Sequence, residues 1–133
     1  MNKICTTIEQ SKKLLEIGID VNTADMCWTN HLFNAFLSSW RIESTPPQEY
    51  KNLLDSFAVR GYLIEPAWSL TALLDILPIL ERKGYQKAKP QLLYNVDINK
   101  WIVDSHVYTT NAYDNPVNAC YEMVCWLKEN GKI

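Results

Sequence analysis

The chain has 133 residues, of which 47% are hydrophobic, and a formal net charge of −2 at pH 7. This length fits one globular domain, so we expect a single domain over residues 1–133. No surplus of cations exists to neutralise phosphates, which disfavours nucleic acid as a partner. The N-terminus lacks the apolar core of a signal peptide, and no segment approaches the run of about 18 apolar residues that spans a membrane. The sequence therefore predicts a soluble, cytoplasmic protein with no membrane partner.

The first helix is predicted to begin at Thr6 or Thr7. Thr6 with Glu9 matches a capping box, and Thr7 with Gln10 matches it one residue later. Gly18 can adopt the left-handed conformation that closes a helix, so we expect this helix to end there.

Between Trp28 and Trp40, apolar side chains recur every three or four residues, which favours a helix over a strand. Pro46 and Pro47 exclude regular structure in the loop that follows. A further helix is expected to start at Thr45 or Pro46 and to end at Gly61. Residues 62–64 then form either a short strand or an extended connection. The inner face of this helix is predicted to carry four residues: Tyr50, Leu53, Leu54 and Phe57.

The segment Pro66–Pro78 is strongly apolar and is predicted to be a helix that Pro78 ends or kinks. Two strands are expected at residues 91–96 and 101–108, with a hairpin loop at residues 97–100. Side chains alternate between the two faces of a strand, so Trp101, Val103, Ser105 and Val107 share one face. This set is the more apolar and should face the helices, which places Asp104 and His106 towards water. The competing register would draw His106 and Asp104 inward.

The C-terminal run has signals for both ends of a helix. Asp114 or Asn115 can cap its first N–H groups, Pro116 suits its first position, and Gly131 can close it. Its apolar residues cover an arc of roughly 220°, wider than a helix lying on one sheet requires. We therefore expect the hairpin and the helix at residues 67–77 to cover it on two sides, with a second chain as the alternative cover for part of it. The wet side is assigned to four residues: Asn118, Glu122, Lys128 and Glu129.

These elements predict an α+β fold. Four or five helices would pack on a small antiparallel sheet of two or three strands, with the C-terminal helix central.

No pattern in the chain indicates an enzyme, a cofactor or a metal. Cys27 and His31 stand four apart and would share a helix face, but this is only half of a zinc site. Cys120 and Cys125 are about 140° apart around a helix and cannot easily hold one ion. The four cysteines show no paired spacing, and we expect them to be reduced thiols that pack as small apolar residues. We predict no catalytic, cofactor-binding or metal-binding residue.

Large aromatic residues are numerous for this length, with five Trp and seven Tyr. Because Trp and Tyr dominate protein-binding hot spots, Trp28, Trp40 and Trp101 are the candidate interaction surface. The expected partner is another protein or a second copy of the chain. The alternative is weak nucleic-acid binding by the basic Arg82–Lys100 region, although exposed lysines more often protect a strand edge from pairing.

Four segments resemble a family of small uncharacterised proteins from Bacteroides-type gut bacterial genomes and their phages or prophages. They are Ser11–Asp20, Thr23–Met26, Ala67–Leu74 and Asp114–Leu127. The resemblance covers about half of the chain and carries over no activity and no site. It implies a mobile-element accessory protein that acts in a bacterial cytoplasm. Together with the aromatic residues, it favours a non-enzymatic protein that works through protein–protein interaction.

Overall fold

The computed structural model describes residues 4–31, 40–81 and 87–133. The chain divides into two compact units, an N-terminal unit, Cys5–Ser69, and a C-terminal unit that includes Leu70–Ile133. The expectation of a single domain stays a prediction.

The N-terminal unit is built around a three-stranded antiparallel sheet. The central strand is β1, with β2 on one side and β3 on the other. Helix α1 packs on β3, and α2 packs on β3 and β1. The elements, in chain order, are α1 (Ile8–Glu16), a 3-10 helix (Val21–Thr23), β1 (Met26–His31), β2 (Arg41–Glu43), α2 (Pro47–Ser56) and β3 (Tyr62–Ala67).

The helix predicted between Trp28 and Trp40 is wrong in the part that the structure describes. Residues up to His31 belong to strand β1, and residues 32–39 lie outside the described ranges. Cys27 and Thr29 are buried while Trp28 and Asn30 are half-buried, which is the alternation of a strand. Backbone pairing on both sides of β1 outweighs the local helical pattern.

The capping box of α1 is present at the second of the two predicted positions. The Thr7 hydroxyl accepts a hydrogen bond from the Gln10 N–H at 3.1 Å, and the Gln10 side chain accepts one from the Thr7 N–H at 3.0 Å. Thr6 is instead fully buried, where its hydroxyl accepts a hydrogen bond from the Trp68 N–H. Thr6 therefore connects the residues before α1 to Trp68, and Thr7 caps the start of α1.

In the C-terminal unit, helix α4 packs between helix α3 and a β-hairpin. Helix α4 contacts both α3 and the hairpin formed by β6 and β7, so the predicted two-sided cover is confirmed. The apolar helix predicted from Pro66 starts later, because Pro66 and Ala67 complete β3. The elements are α3 (Leu70–Ile76), β4 (Leu80–Glu81), β5 (Lys87–Ala88), β6 (Gln91–Asn95), β7 (Lys100–Asp104) and α4 (Pro116–Glu129).

The predicted α+β class is confirmed. The strands in the described ranges form one three-stranded sheet and two two-stranded sheets, all antiparallel, which is more than the one small sheet expected. Helix α4 begins as predicted, with the Asn115 side chain accepting a hydrogen bond from the Val117 N–H at 2.9 Å. Six of its residues are buried, which makes α4 the core helix of its unit: Val117, Ala119, Cys120, Met123, Val124 and Leu127.

The predicted register of β7 is confirmed where the strand persists. Val103 is fully buried, and Asp104 and His106 are exposed. The strand ends at Asp104, however, and the next residues form a bend in which the Ser105 hydroxyl donates to the Tyr108 carbonyl oxygen at 2.8 Å. Val107 is consequently exposed, and its predicted inward position is wrong.

Three helices end on a residue with positive φ. Gly18 and Gly131 were predicted to do this, with φ of 95° and 69°. Helix α2 does not run to Gly61 as predicted but ends at Ser56, and Ala58 takes the left-handed conformation at φ 54°. Its N–H donates to the Asp55 carbonyl oxygen, and the Val59 N–H donates to that of Leu54. An alanine therefore occupies a position that favours glycine.

We expect Leu127→Ala and Val124→Ala each to lower the free energy of unfolding by about 1–4 kcal/mol, because both side chains are fully buried and truncation leaves a cavity. Denaturant melts measure the loss. Ile79→Ala, at a largely exposed site in the same unit, is the control and should change stability by less than about 0.5 kcal/mol. Equal effects at buried and exposed sites would contradict the assignment of α4 to the core.

We expect Ala58→Gly to stabilise the protein by about 1 kcal/mol, because glycine removes the cost of a left-handed alanine. Gly131→Ala is the converse test. A Cβ at that position meets no atom within 4 Å, so only the positive φ penalises it. Thermal or urea melts should move in opposite directions for the two variants. The interpretation fails if both move the same way.

Candidate functional site

The carboxylate of Glu122 on α4 is surrounded by hydrogen-bond donors from the segment that follows β7. The Tyr108 hydroxyl donates at 2.5 Å and the Tyr113 hydroxyl at 2.7 Å. Asn111 donates through its backbone N–H and its side-chain amide, both at 3.1 Å. The Tyr108 ring stacks on Trp126 with centroids 4.5 Å apart. We call Glu122, Tyr108, Asn111 and Tyr113 the Glu122 clasp.

The electrostatics of the Glu122 clasp favour an ionised carboxylate among neutral phenols. Burial alone would raise the pKa of Glu122, but the hydrogen bonds from Tyr108, Tyr113 and Asn111 outweigh it and lower that pKa. The hydrogen bond to Glu122 is the main cause that raises the pKa of Tyr108 to about 12. Burial, then the same carboxylate, raises the pKa of Tyr113. Each hydroxyl therefore remains a donor at neutral pH.

This arrangement positions a surface and is poorly suited to acid–base chemistry. Both carboxylate oxygens of Glu122 already accept hydrogen bonds, and a lowered pKa makes it a weak base. The carboxylate holds Tyr113 in place, and the Tyr113 backbone exchanges two hydrogen bonds with that of Trp101, at 2.6 and 2.8 Å. The Glu122 clasp thereby fixes the segment that contains Tyr113 beside β7, where it pairs with Trp101.

The hairpin has several exposed apolar side chains, some on each face and some at the turn. Val96 is 73% exposed and Ile98 51% exposed at the turn, and Leu93 and Tyr94 are exposed on β6. The Trp101 ring lies 4.9 Å from that of Tyr94, measured between centroids. We call Leu93, Tyr94, Val96, Ile98 and Trp101 the hairpin surface.

The three tryptophans predicted as an interaction surface lie in different units. Trp28 and Trp40 belong to the N-terminal unit and Trp101 to the C-terminal unit. Trp28 is half-buried against a core cluster that includes Met26, and its indole N–H donates to the Thr6 carbonyl oxygen at 2.9 Å. Trp40 is also half-buried. Trp101 is the one that belongs to the hairpin surface.

The basic region proposed as a nucleic-acid site is described in part. Lys87 and Lys89 are exposed, and residues 82–86 lie outside the described ranges. The Lys100 ammonium pairs with the Asp114 carboxylate at 3.1 Å, so an acidic group offsets one of the predicted positive charges.

Three of the four cysteines are packed in the interior as small apolar residues, as expected, and Cys125 is half-buried. Cys5, Cys27 and Cys120 are buried, and no disulfide joins any of the four. Burial, with a smaller effect of the Glu43 charge, raises the pKa of Cys27 to about 11, and burial raises that of Cys120 to about 12. These thiols are therefore protonated and poor nucleophiles at neutral pH.

Cys27 and His31, considered as half of a metal site, lie on strand β1 and not on a helix. Four residues of strand separate their Cα atoms by about 13 Å, so they do not form a close ligand pair. In the described ranges, no group of three or more His, Cys, Asp or Glu residues is placed to hold a metal ion.

The N-terminal unit contains a cavity of about 260 Å³ beside the start of α2. Its described lining is mostly apolar, with Lys51 as the one charged side chain: Val21, Asn22, Ala24, Pro46, Pro47, Gln48, Lys51, Ile64 and Pro66. These residues bring no carboxylate, thiol or imidazole together, so the described lining provides no general base or nucleophile.

Comparison of the chain with protein-family models, with curated proteins and with solved structures finds no significant match. Within the ranges that the structure describes, no helix is both long and apolar enough to cross a membrane.

We expect Glu122→Gln to lower the free energy of unfolding by about 1–3 kcal/mol at pH 7, because it removes charge-assisted hydrogen bonds. The folded-state pKa of Glu122 is lowered, so its stabilisation is present above the ordinary carboxyl pKa and is lost as pH falls through the folded value. The difference between variant and wild type should therefore shrink in acid. Urea melts from pH 7 to pH 3 measure it, with Glu81→Gln, an exposed site in the same unit, as control. A difference that does not depend on pH would contradict this role.

Proposed function

We propose that this protein is a non-enzymatic accessory protein of phage or prophage type, which acts in the bacterial cytoplasm by binding another protein chain through the hairpin surface. The supporting observation is the hairpin surface itself. Large apolar side chains are exposed there, and one of them, Tyr94, lies against the half-buried Trp101, while other apolar residues of the same unit are buried. Exposed apolar side chains concentrated on one hairpin favour a protein-binding role.

The support behind the surface adds to this proposal. The Glu122 clasp and the Trp101–Tyr113 backbone pair connect the hairpin to α4, which favours a surface that is already ordered before binding. A preorganised surface loses less conformational entropy when a partner docks. The resemblance of the sequence to proteins of gut bacteria and their phages favours the accessory role.

Binding should depend on the side chains at the turn. We expect a double substitution, Val96→Ser with Ile98→Ser, to reduce capture of at least one bacterial protein from lysate by about tenfold or more, corresponding to about 1.4 kcal/mol of binding energy. The measurement is affinity capture on the immobilised chain with quantitative mass spectrometry. Phe57→Ser is the matched control. Phe57 and Leu53 were predicted on the inner face of their helix, but both are exposed, and Phe57, like Val96, is 73% exposed while lying in the N-terminal unit.

Two outcomes would contradict the proposal. One is a monomeric chain whose captured set is the same for wild type and the double variant. The other is captured nucleic acid that is released as salt rises, which would instead favour the basic region as the binding site.

A further inference from the structure

Strand β6 lies at an open edge of its sheet. It pairs with β7, and among the described strands none lies on its other side. Exposed edges expose unpaired N–H and C=O groups, and proteins commonly protect them with charged side chains or proline. The edge strands β2, β3, β4 and β5 each carry a charged residue. Strand β6, Gln91-Leu92-Leu93-Tyr94-Asn95, carries neither a charge nor a proline.

The hydrogen bonds of β7 show which groups β6 presents at this edge. Trp101 and Val103 direct their N–H and C=O groups to Tyr113 and Thr110, away from β6. Tyr94 is opposite Trp101 and Leu92 is opposite Val103, so both are non-hydrogen-bonded pairs. The N–H and C=O groups of Leu92 and Tyr94 therefore point out of the sheet edge.

We propose that a second copy of this chain pairs with that edge, β6 to β6, in an antiparallel register centred on Leu93. The inference rests on the proposed function and specifies the partner. In this register, Leu92 of one copy faces Tyr94 of the other, and the pair exchanges two backbone hydrogen bonds. The symmetry-related pair does the same, so every outward backbone group of β6 is used.

The side chains of the strand are self-complementary in the same register. Leu93 meets Leu93 on the two-fold axis, Leu92 meets Tyr94, and Gln91 meets Asn95, so no like charges oppose each other. Ile102 is the neighbour of Leu93 within each hairpin, so an apolar row of four side chains crosses the interface. Beyond the strand ends, the same register places position 89 of one copy opposite position 97 of the other. Lys89 and Asp97 carry opposite charges. Such symmetry is typical of a two-fold interface.

The proposal predicts a dimer that a charge on the axis disrupts. By size-exclusion chromatography with light scattering, the wild-type chain should have the mass of two chains, and Leu93→Lys that of one. Leu63→Lys is the matched control. Leu63 is 45% exposed on the edge strand β3, against 41% for Leu93, and this variant should stay dimeric.

Cysteine cross-linking tests the register. Opposed residues in a non-hydrogen-bonded pair have Cα atoms about 4.5 Å apart, which suits a disulfide. Leu93→Cys should therefore form a covalent dimer under mild oxidation. Gln91→Cys lies on the same face but about 13 Å from its own copy in this register, and should not. The wild-type chain under the same oxidation measures any contribution of its native cysteines.

Three results would overturn the second-copy proposal: a monomeric wild type at the highest soluble concentration, a dimer unaffected by Leu93→Lys, or equal cross-linking at positions 91 and 93. If a monomeric chain still captures a different protein through Val96 and Ile98, this inference fails alone. If that capture is absent as well, the proposed function fails with it.

Discussion

A partly buried carboxylate needs hydrogen-bond donors, and the arrangement of the C-terminal unit depends on which groups donate to Glu122. Its donors come from one short segment, so satisfying the charge also holds that segment in place. Tyr113 can then pair with Trp101, and the hairpin lies on α4 with its edge strand outward. The position of the hairpin surface therefore depends on the hydrogen bonds between Glu122 and the segment that follows β7.

In the N-terminal unit, a network of neutral groups around Trp68 meets the same constraint. Trp68 is fully buried, and its indole N–H donates to the Thr23 hydroxyl at 2.8 Å. Its backbone exchanges hydrogen bonds with Thr6, whose hydroxyl also bonds that of Ser11 at 2.8 Å. Polar atoms that close a network inside the core contribute specificity, because an alternative packing would leave them unpaired.

Local signals in the sequence predicted the features that local physics decides. The caps at Thr7 and Asn115 and the positive φ at Gly18 and Gly131 depend on neighbours within a few residues. The helix expected across Trp28 failed because pairing with two distant strands decided the structure of β1. Glu122 was assigned to the wet side because helical periodicity places a side chain on a face without showing what lies opposite. Its donors Tyr113, Asn111 and Tyr108 lie nine to fourteen positions before it, and nothing in the sequence signals that contact.

The buried thiols allow local opening of each unit to be measured by thiol labelling. Only a thiolate exchanges with an aromatic disulfide reagent, and Cys27 and Cys120 are both shielded from solvent and held protonated while folded. Their labelling rates in native buffer therefore report how often the surrounding structure opens. Because Cys27 lies in one unit and Cys120 in the other, comparing the two rates would measure whether the units open together or independently.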